Sequence, residues 1–294
     1  MCRPMLLAGS NPAAGRGIRR LPPHTIRLQP MSAAPRFFCS EALLPGTTIS
    51  LSAGATRHVQ VLRLQPGDSI TLFGGAAQRE RQTATETASD GRSPRGEFEA
   101  TIAEIGRRVV RVVVGRHHLV ERELARPLHL AIGMPANERM DWLVEKATEL
   151  GVTVIQPLMT ERSVVRLDNE RALKKTAHWN SIAISACEQC GRNQVPEVRS
   201  VASLTGWARQ LGNMGPSAGA RLLLSLQPGA QLLRELLTQQ FIRTGAITVL
   251  SGPEGGLSAA EEQLAVRHGF QPVTLGPRVL RAETAALVAL TLLA

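Results

Sequence analysis

LSGPEGGLSAAEEQ, residues 250–263, is the stretch on which the reading of this chain turns. The apolar run AITVL (Ala246–Leu250) feeds directly into Ser251-Gly252-Pro253-Glu254-Gly255-Gly256. Ser258 followed by Glu261 then has the spacing of a capping box, so a helix is predicted to start there. A strand, a glycine-rich turn and a helix in that order usually form a cradle. The free N–H groups at the helix start ordinarily suit an anion. A phosphate-binding loop, however, pairs its glycines with Lys and Ser or Thr, whereas this one carries Glu254. A carboxylate so close to a phosphate repels it unless a metal intervenes. Neither G-x-x-x-x-G-K-[ST] nor G-x-G-x-x-G occurs anywhere in the chain, which argues against ATP, GTP and dinucleotides.

Two further stretches have the same form. LGPRVLRAETA (Leu275–Ala285) again ends a short apolar run in Gly-Pro before a helix, and LLLSLQPG (Leu222–Gly229) is a third strand end. In a parallel sheet such turns gather at the carboxyl ends of the strands, where ligands bind. A single Gly-rich turn reads better as an ordinary tight connection. Three together can wrap a compact ligand through backbone groups. S-Adenosylmethionine meets the charge argument, because it has a carboxylate, an ammonium and a sulfonium but no phosphate.

The composition agrees with a soluble globular protein of one large or two ordinary domains: 294 residues, 43% hydrophobic and 20% charged. No uncharged apolar window is long enough for a membrane span. The formal charge of +10 and pI of about 10.9 point to a polyanionic partner, nucleic acid first. Arginine-rich coding bias is the competing explanation, since lysine occurs only at Lys146, Lys174 and Lys175. Tyrosine is absent and aromatics make up 3%, too few for a platform that stacks successive bases. RNA binding would therefore rest on phosphates, shape and a few hydrogen bonds. Four scattered cysteines do not make a disulfide framework, so a reducing cytoplasm is expected. Cys187 and Cys190 form one C-x-x-C, half a zinc site at most, and free thiols with no metal are expected there.

Residues 1–34 hold five arginines and no acid, and are read as a disordered extension or an over-long start, with Met31 as the alternative first residue. Residues 35–126 are strand-rich: TTISLS (Thr47–Ser52), DSITLF (Asp68–Phe73), EFEATIAEI (Glu97–Ile105) and RVVRVVV (Arg108–Val114) alternate or are β-branched. One helix is predicted over Ala55–Leu64, and the polar stretch Ala76–Gly96 reads as a hairpin excursion. After Arg126-Pro127 the period changes to helical. Strand LHLAIGM (Leu128–Met134) precedes a helix in ERMDWLVEKATELG, then come VTVIQPL, a helix over Arg171–Cys190, ARLLLSL, a helix through QLLRELL, AITVL, a helix from Ser258, PVTL and a last helix from Ala282. The alternation over residues 127–294 predicts an α/β domain with a mainly parallel sheet.

GPEGG (Gly252–Gly256) followed by LGPRVLRAETA resembles the signature of the RsmE family. Supporting matches are RMDWLVEKATELGV (Arg139–Val152), ERSVVR (Glu161–Arg166), ACEQCGRNQVPEV (Ala186–Val198), PRFF (Pro35–Phe38), HVQVLRLQPGD (His58–Asp68) and LFGG (Leu72–Gly75). The resemblance runs from about Pro35 to the C-terminus. It implies a methyltransferase of the SPOUT class acting with S-adenosylmethionine on N3 of one uridine, U1498, in 16S rRNA of the small ribosomal subunit. It also implies a PUA-like β-barrel for RNA, a SPOUT domain tied in a trefoil knot, and a homodimer. The Ala76–Gly96 excursion is longer than the family's hairpin, and residues 1–34 have no counterpart in it.

On this reading, cofactor contacts are expected at Leu224, Ser225, Leu250, Gly252, Pro253, Gly255, Gly256, Leu275, Gly276, Leu280, Glu283 and Thr284. Methyl transfer to N3 of uracil needs the imide proton lost and charge on a carbonyl oxygen stabilised. Arg281 is the candidate for holding that oxygen or a phosphate. Glu254 or Glu283 is the candidate for accepting the proton or orienting the cofactor, although Glu283 also reads as a plain first-turn acid. The general base stays unassigned. Arg36, His58, Arg63 and Arg192 are candidate RNA contacts, although a lone histidine beside a helix, such as His58, is more often structural. Glu188, Gln189 and Arg192 are site or interface residues by resemblance, and a solvated helix end by pattern alone. Three other functions compete: a non-catalytic RNA-binding or ribosome-assembly protein, a methyltransferase of the same class acting on another RNA position, and a nucleotide-dependent enzyme. Intact GPEGG and LRAET loops favour the methyltransferase.

Overall fold

The structure is a computed structural model that describes residues 34–74, 96–164, 166–212, 219–237 and 245–294. The expectations for 1–34 and for the excursion at 76–96 therefore lie, but for their last residues, outside the described chain. The described residues form one compact unit containing two sheets.

The first sheet comprises β1 (Arg36–Cys39), β2 (Thr48–Ser50), β3 (Ser69–Gly74), β4 (Glu97–Ile105) and β5 (Val110–His118), in the order β1-β3-β4-β5-β2. The β1–β3 pair is parallel and the others antiparallel. Along β5, Val110, Val112 and Val114 are buried while Arg111 and Val113 are exposed, the two-residue period of a half-buried strand. Two register shifts between β4 and β5 add twist, so the sheet curls around Phe37, Ile70, Leu72 and Ile102. Helix α1 spans Ala53–Val61 rather than Ala55–Leu64. It starts earlier because Ser52 Oγ accepts from Ala55 N at 3.2 Å, and it stops before Arg63, whose φ is +56°. Ala55 and Val59 are buried, whereas Val61 and, just past the helix, Leu62 face solvent.

The second sheet begins with β6 (Leu128–Gly133), α2 (Asn137–Glu149), β7 (Val154–Met159), α3 (Asn169–Cys190), β8 (Glu197–Val198), β9 (Ala202–Ser203) and α4 (Leu204–Gly212). It continues through β10 (Ala220–Leu224), β11 (Gln231–Leu232), α5 (Leu233–Leu236), β12 (Ile247–Ser251), α6 (Ala259–Arg267), β13 (Gln271–Thr274) and α7 (Ala282–Leu293). The order is β11-β13-β10-β12-β6-β7-β8, with β9 also on β7, and every pair is parallel. The predicted parallel α/β architecture is present. β12 lies between β6 and β10 with all five residues buried, which accounts for a sequence, ITVLS, without a single charge. α3 starts two residues before Arg171 because Asp168 caps it, accepting from Arg171 N at 2.8 Å. It ends at Gly191, φ +85°, a left-handed cap that suits glycine. The helix predicted through QLLRELL is only four residues long. Gln231 and Leu232 instead pair with Val273 and Thr274, so a tertiary partner overrides the local helical pattern.

The two sheets meet at Gly191-Arg192-Asn193. Arg36 pairs with Glu97 and donates from Nη2 to Asn193 Oδ1 at 2.6 Å and to the Arg192 carbonyl at 3.2 Å. Arg122 Nη1 reaches Glu97 at 2.9 Å and the Gly191 carbonyl at 3.0 Å. Arg192 pairs with Glu123 and donates to the carbonyls of Thr148 (2.7 Å) and Val152 (2.9 Å). Burial alone would raise the Glu97 pKa, but hydrogen bonds from Arg122 and Arg36 outweigh it and hold the carboxyl below its ordinary value. A depressed folded-state pKa stabilises the fold above the ordinary value of about 4.5. That contribution is lost as pH falls below it. Acid titration of the wild type should thus show a stability loss below about pH 4.5 that is shallower in Glu97→Gln; equal slopes would show that the pairing contributes nothing.

Candidate active site

Because the strands are parallel, the connections after β10, β12 and β13 emerge at the same edge of the sheet. They enclose a cavity of about 280 Å³. The turn after β12 folds back on itself: Gly256 N donates to the Pro253 carbonyl at 2.8 Å, and Gly256 has φ +68°. A Cβ on Gly252 would lie 2.7 Å from Leu257 N and 2.8 Å from the Gly256 carbonyl carbon. At the end of β6, a Cβ on Gly133 would lie 2.5 Å from Pro253 Cδ. Both glycines are thus required by close backbone approach.

The capping box read at Ser258 is complete. Ser258 Oγ accepts from Glu261 N at 3.2 Å, and Glu261 Oε2 accepts from Ser258 N at 3.0 Å. The other oxygen of Glu261 accepts from Glu161 N at 2.8 Å, which ties the turn to the segment after β7. Arg162 from that segment donates to the carbonyls of Gly255 (2.9 Å) and Leu257 (3.3 Å). On the β10 side, Ser225 Oγ donates to Glu262 Oε2 at 2.8 Å and accepts from Gln227 N at 3.1 Å. Glu254 Oε1 accepts from Ala136 N at 2.9 Å and from Arg139 Nη1 at 3.2 Å. The carboxylate in the glycine-rich turn therefore comes with its own counter-ion.

Of the expected site residues, Leu224, Ser225, Gly252, Pro253, Glu254, Gly255, Gly256, Leu275 and Leu280 line the cavity. Leu250, Gly276, Arg281, Glu283 and Thr284 lie outside its lining. Leu250 is fully buried beneath the turn, Arg281 is exposed at the N-cap of α7, Thr284 is exposed, and Glu283 is buried. The sequence reading missed Arg162, Glu262, Arg278 and Val279, which also line it. Arg162 stands in the ERSVVR motif and Glu262 beside the capping box, so both had a signal.

The expected RNA contacts separate into two groups. His58 and Arg63 are at the surface, with the His58 ring against Phe37 at 5.3 Å and 3.8 Å from Glu188 Oε2. Arg36 and Arg192 are only 6% and 4% exposed, and the reading of them as RNA contacts is corrected. Their guanidiniums are occupied by the pairings that join the two sheets. Glu188 accepts from Phe38 N at 3.1 Å, and burial raises its pKa, while Gln189 is exposed. Burial also pushes the Cys187 thiol up to about 12, so the C-x-x-C lacks the thiolate character of a redox pair. Among the described residues no His, Cys, Asp and Glu group is arranged to hold a metal, and no helix is long and apolar enough to cross a membrane.

Residues 122–294 match the family described as an RNA methyltransferase domain. Ribosomal RNA small subunit methyltransferase E of Bacillus subtilis is 30% identical over 83% of this chain and 88% of its own length. The chain belongs to the RsmE family of RNA methyltransferases. Two solved structures share the fold. A Legionella pneumophila protein in complex with S-adenosylmethionine is 36% identical with a TM-score of 0.76, covering 88% of this chain and 96% of that one. The Neisseria gonorrhoeae ribosomal RNA small subunit methyltransferase E, also bound to S-adenosylmethionine, is 36% identical with a TM-score of 0.74 at the same coverage. The motifs GPEGG and LGPRVLRAETA, on which the resemblance rested, are the turn after β12 and the passage from β13 into the first turn of α7.

Proposed function

We propose that this chain transfers a methyl group from S-adenosylmethionine to 16S rRNA of the small ribosomal subunit. The observation that carries the reading is the cavity formed where the connections after β10, β12 and β13 converge. Its lining suits this cofactor better than a polyphosphate. Leu224, Leu275 and Leu280 supply apolar surface, Glu254 and Glu262 are carboxylates, and of the arginines Arg162 is held by main-chain carbonyls. When bound, S-adenosylmethionine supplies an electrophilic methyl on a sulfonium.

The chain's own residues bind, orient and neutralise. The Gly252–Leu257 backbone and the three leucines hold the cofactor, and fixing the reacting atoms in line is the main source of rate. Arg281, exposed where α7 begins, meets the charge that develops on a uracil carbonyl oxygen once the imide proton has left. Glu254 and Glu283 orient the loops around the cofactor. The finer reading follows the family. The position is N3 of U1498, residues 35–126 form a PUA-like barrel that holds RNA with His58 and Arg63, and residues 127–294 form a SPOUT domain closed by a trefoil knot. The enzyme works in the cytoplasm as a homodimer. Exposed apolar side chains on the packed helices α2 and α7, Trp142, Val288 and Leu292, support a second copy there; a single-chain mass in sedimentation would refute it.

The deciding experiment is methyl transfer from labelled S-adenosylmethionine to unmethylated small subunits, followed by nucleoside analysis. N3-methyluridine at one site is expected. Another methylated nucleoside would overturn the position, and no transfer despite cofactor binding would overturn the substrate. Arg281→Ala should lower turnover far more than cofactor affinity; unchanged turnover removes Arg281 from the mechanism.

A further inference from the structure

Arg139 stands between two acidic residues on different elements, Glu254 in the cavity lining and Glu283 just outside it. It is the third residue of α2, just past the end of β6. Its Nη1 donates to Glu254 Oε1 at 3.2 Å, and its Nε lies 4.0 Å from Glu283 Oε1. Glu254 belongs to the turn after β12, whereas Glu283 sits in the first turn of α7. The Ala136 N–H donates to the same Glu254 oxygen at 2.9 Å, so the start of α2 grips this carboxylate twice. Glu283 is 7% exposed, and its Oε2 is buried without a hydrogen-bond partner among the described residues. A dipole contact at a helix start would favour a glutamate in that turn. It does not account for burial of the carboxylate beside a guanidinium from another helix.

We propose that Arg139 is a positioning residue of the methyl-transfer site. One guanidinium fastens the glycine-rich turn after β12 to the start of α7, and so sets the spacing of two of the three loops that enclose the cofactor. The proposal rests on the S-adenosylmethionine reading above. The turn contributes Gly252–Leu257 to the cavity and α7 contributes Ala282 and Ala285, so a shift of either element changes the width of the space between them. Arg139 itself is not among the residues that line it. It acts through the two glutamates. Arg162 holds the same turn from the opposite side, by the carbonyls of Gly255 and Leu257. The turn is thus braced by one arginine on its side chain and by another on its backbone.

The test is calorimetric titration of S-adenosylmethionine into the full chain, with kcat measured on small subunits. Wild type is compared with Arg139→Gln, Glu254→Gln, the double variant and Arg139→Lys. Losing one charge-assisted contact should weaken cofactor binding about tenfold in each single Gln variant. The double variant should be no weaker than the worse single one, because both remove one interaction. Arg139→Lys should recover part of the affinity, since it keeps the charge without the planar fork. A merely structural role would lower the melting temperature of the ligand-free protein and leave the dissociation constant of the folded protein unchanged. Binding within twofold of wild type in Arg139→Gln, or costs that multiply in the double variant, would overturn the proposal. Failure of the wild type itself to bind would refute the cofactor reading, and the proposal would fall with it.

Discussion

Gly252→Ala should weaken S-adenosylmethionine binding by about ten- to a hundredfold while the protein stays folded. The added methyl would sit 2.7 Å from Leu257 N and 2.8 Å from the Gly256 carbonyl carbon, both main-chain atoms that cannot swing aside. Overpacking of this kind costs about 1–3 kcal/mol, and about 1.4 kcal/mol is a tenfold change in affinity. The turn's way out is to open, which breaks the 2.8 Å bond from Gly256 N to the Pro253 carbonyl and misplaces the backbone groups proposed to hold the cofactor. Gly229→Ala is the control, because its added Cβ meets nothing within 4 Å, although its φ of +91° makes some loss of stability expected. Calorimetry on both variants, with circular dichroism to verify folding, provides the check. Equal affinity in Gly252→Ala and wild type would mean that this turn does not touch the cofactor.

The second large effect concerns stability. Arg192→Ala should cost about 3–5 kcal/mol, the usual penalty for stranding one member of a buried ion pair. Glu123, with 8% of its side chain exposed, would lose its guanidinium, and the carbonyls of Thr148 and Val152 would lose their Arg192 donor. For a chain of this size that corresponds to a melting temperature lower by roughly 6–20 °C. Arg192→Met combined with Glu123→Leu should recover much of the loss, because apolar replacement of the whole pair leaves no stranded charge. A small effect of Arg192→Ala, within a few degrees, would return Arg192 to the solvent-facing role that its position after a helix suggested.

The parts of the fold that were legible in sequence are those fixed by local chemistry. The switch from a period of two to a period of 3.6 after Arg126-Pro127 marks β6 and α2, and the five apolar or small residues of β12 read as an interior strand. Ser258 and Glu261 form a capping box within four residues, and both of its hydrogen bonds are present. What escaped depends on partners far along the chain. β1 has only four residues and becomes a strand by lying parallel to β3, while Gln231-Leu232 pairs with β13 some forty positions later. Arg36 looks like any arginine near a chain start, and its burial is decided by Glu97 and Asn193. Likewise, the lining role of Arg162 follows from the sheet order, which places the segment after β7 against the turn after β12.

The junction at Gly191-Arg192-Asn193 also constrains the order of events while the chain is being synthesised. Arg36 emerges early, but the Asn193 side chain that completes its hydrogen bonding is 157 positions further along. Phe38 N waits similarly for Glu188, 150 positions later. Until α3 and the residues after it have left the ribosome, the nascent first sheet carries an edge strand with a buried-to-be arginine only partly paired. Its final closure is therefore post-translational with respect to its own residues, and pairings of such long sequence separation form slowly. In a growing polypeptide, the sheet made first is sealed only after residues well beyond its own strands have been added.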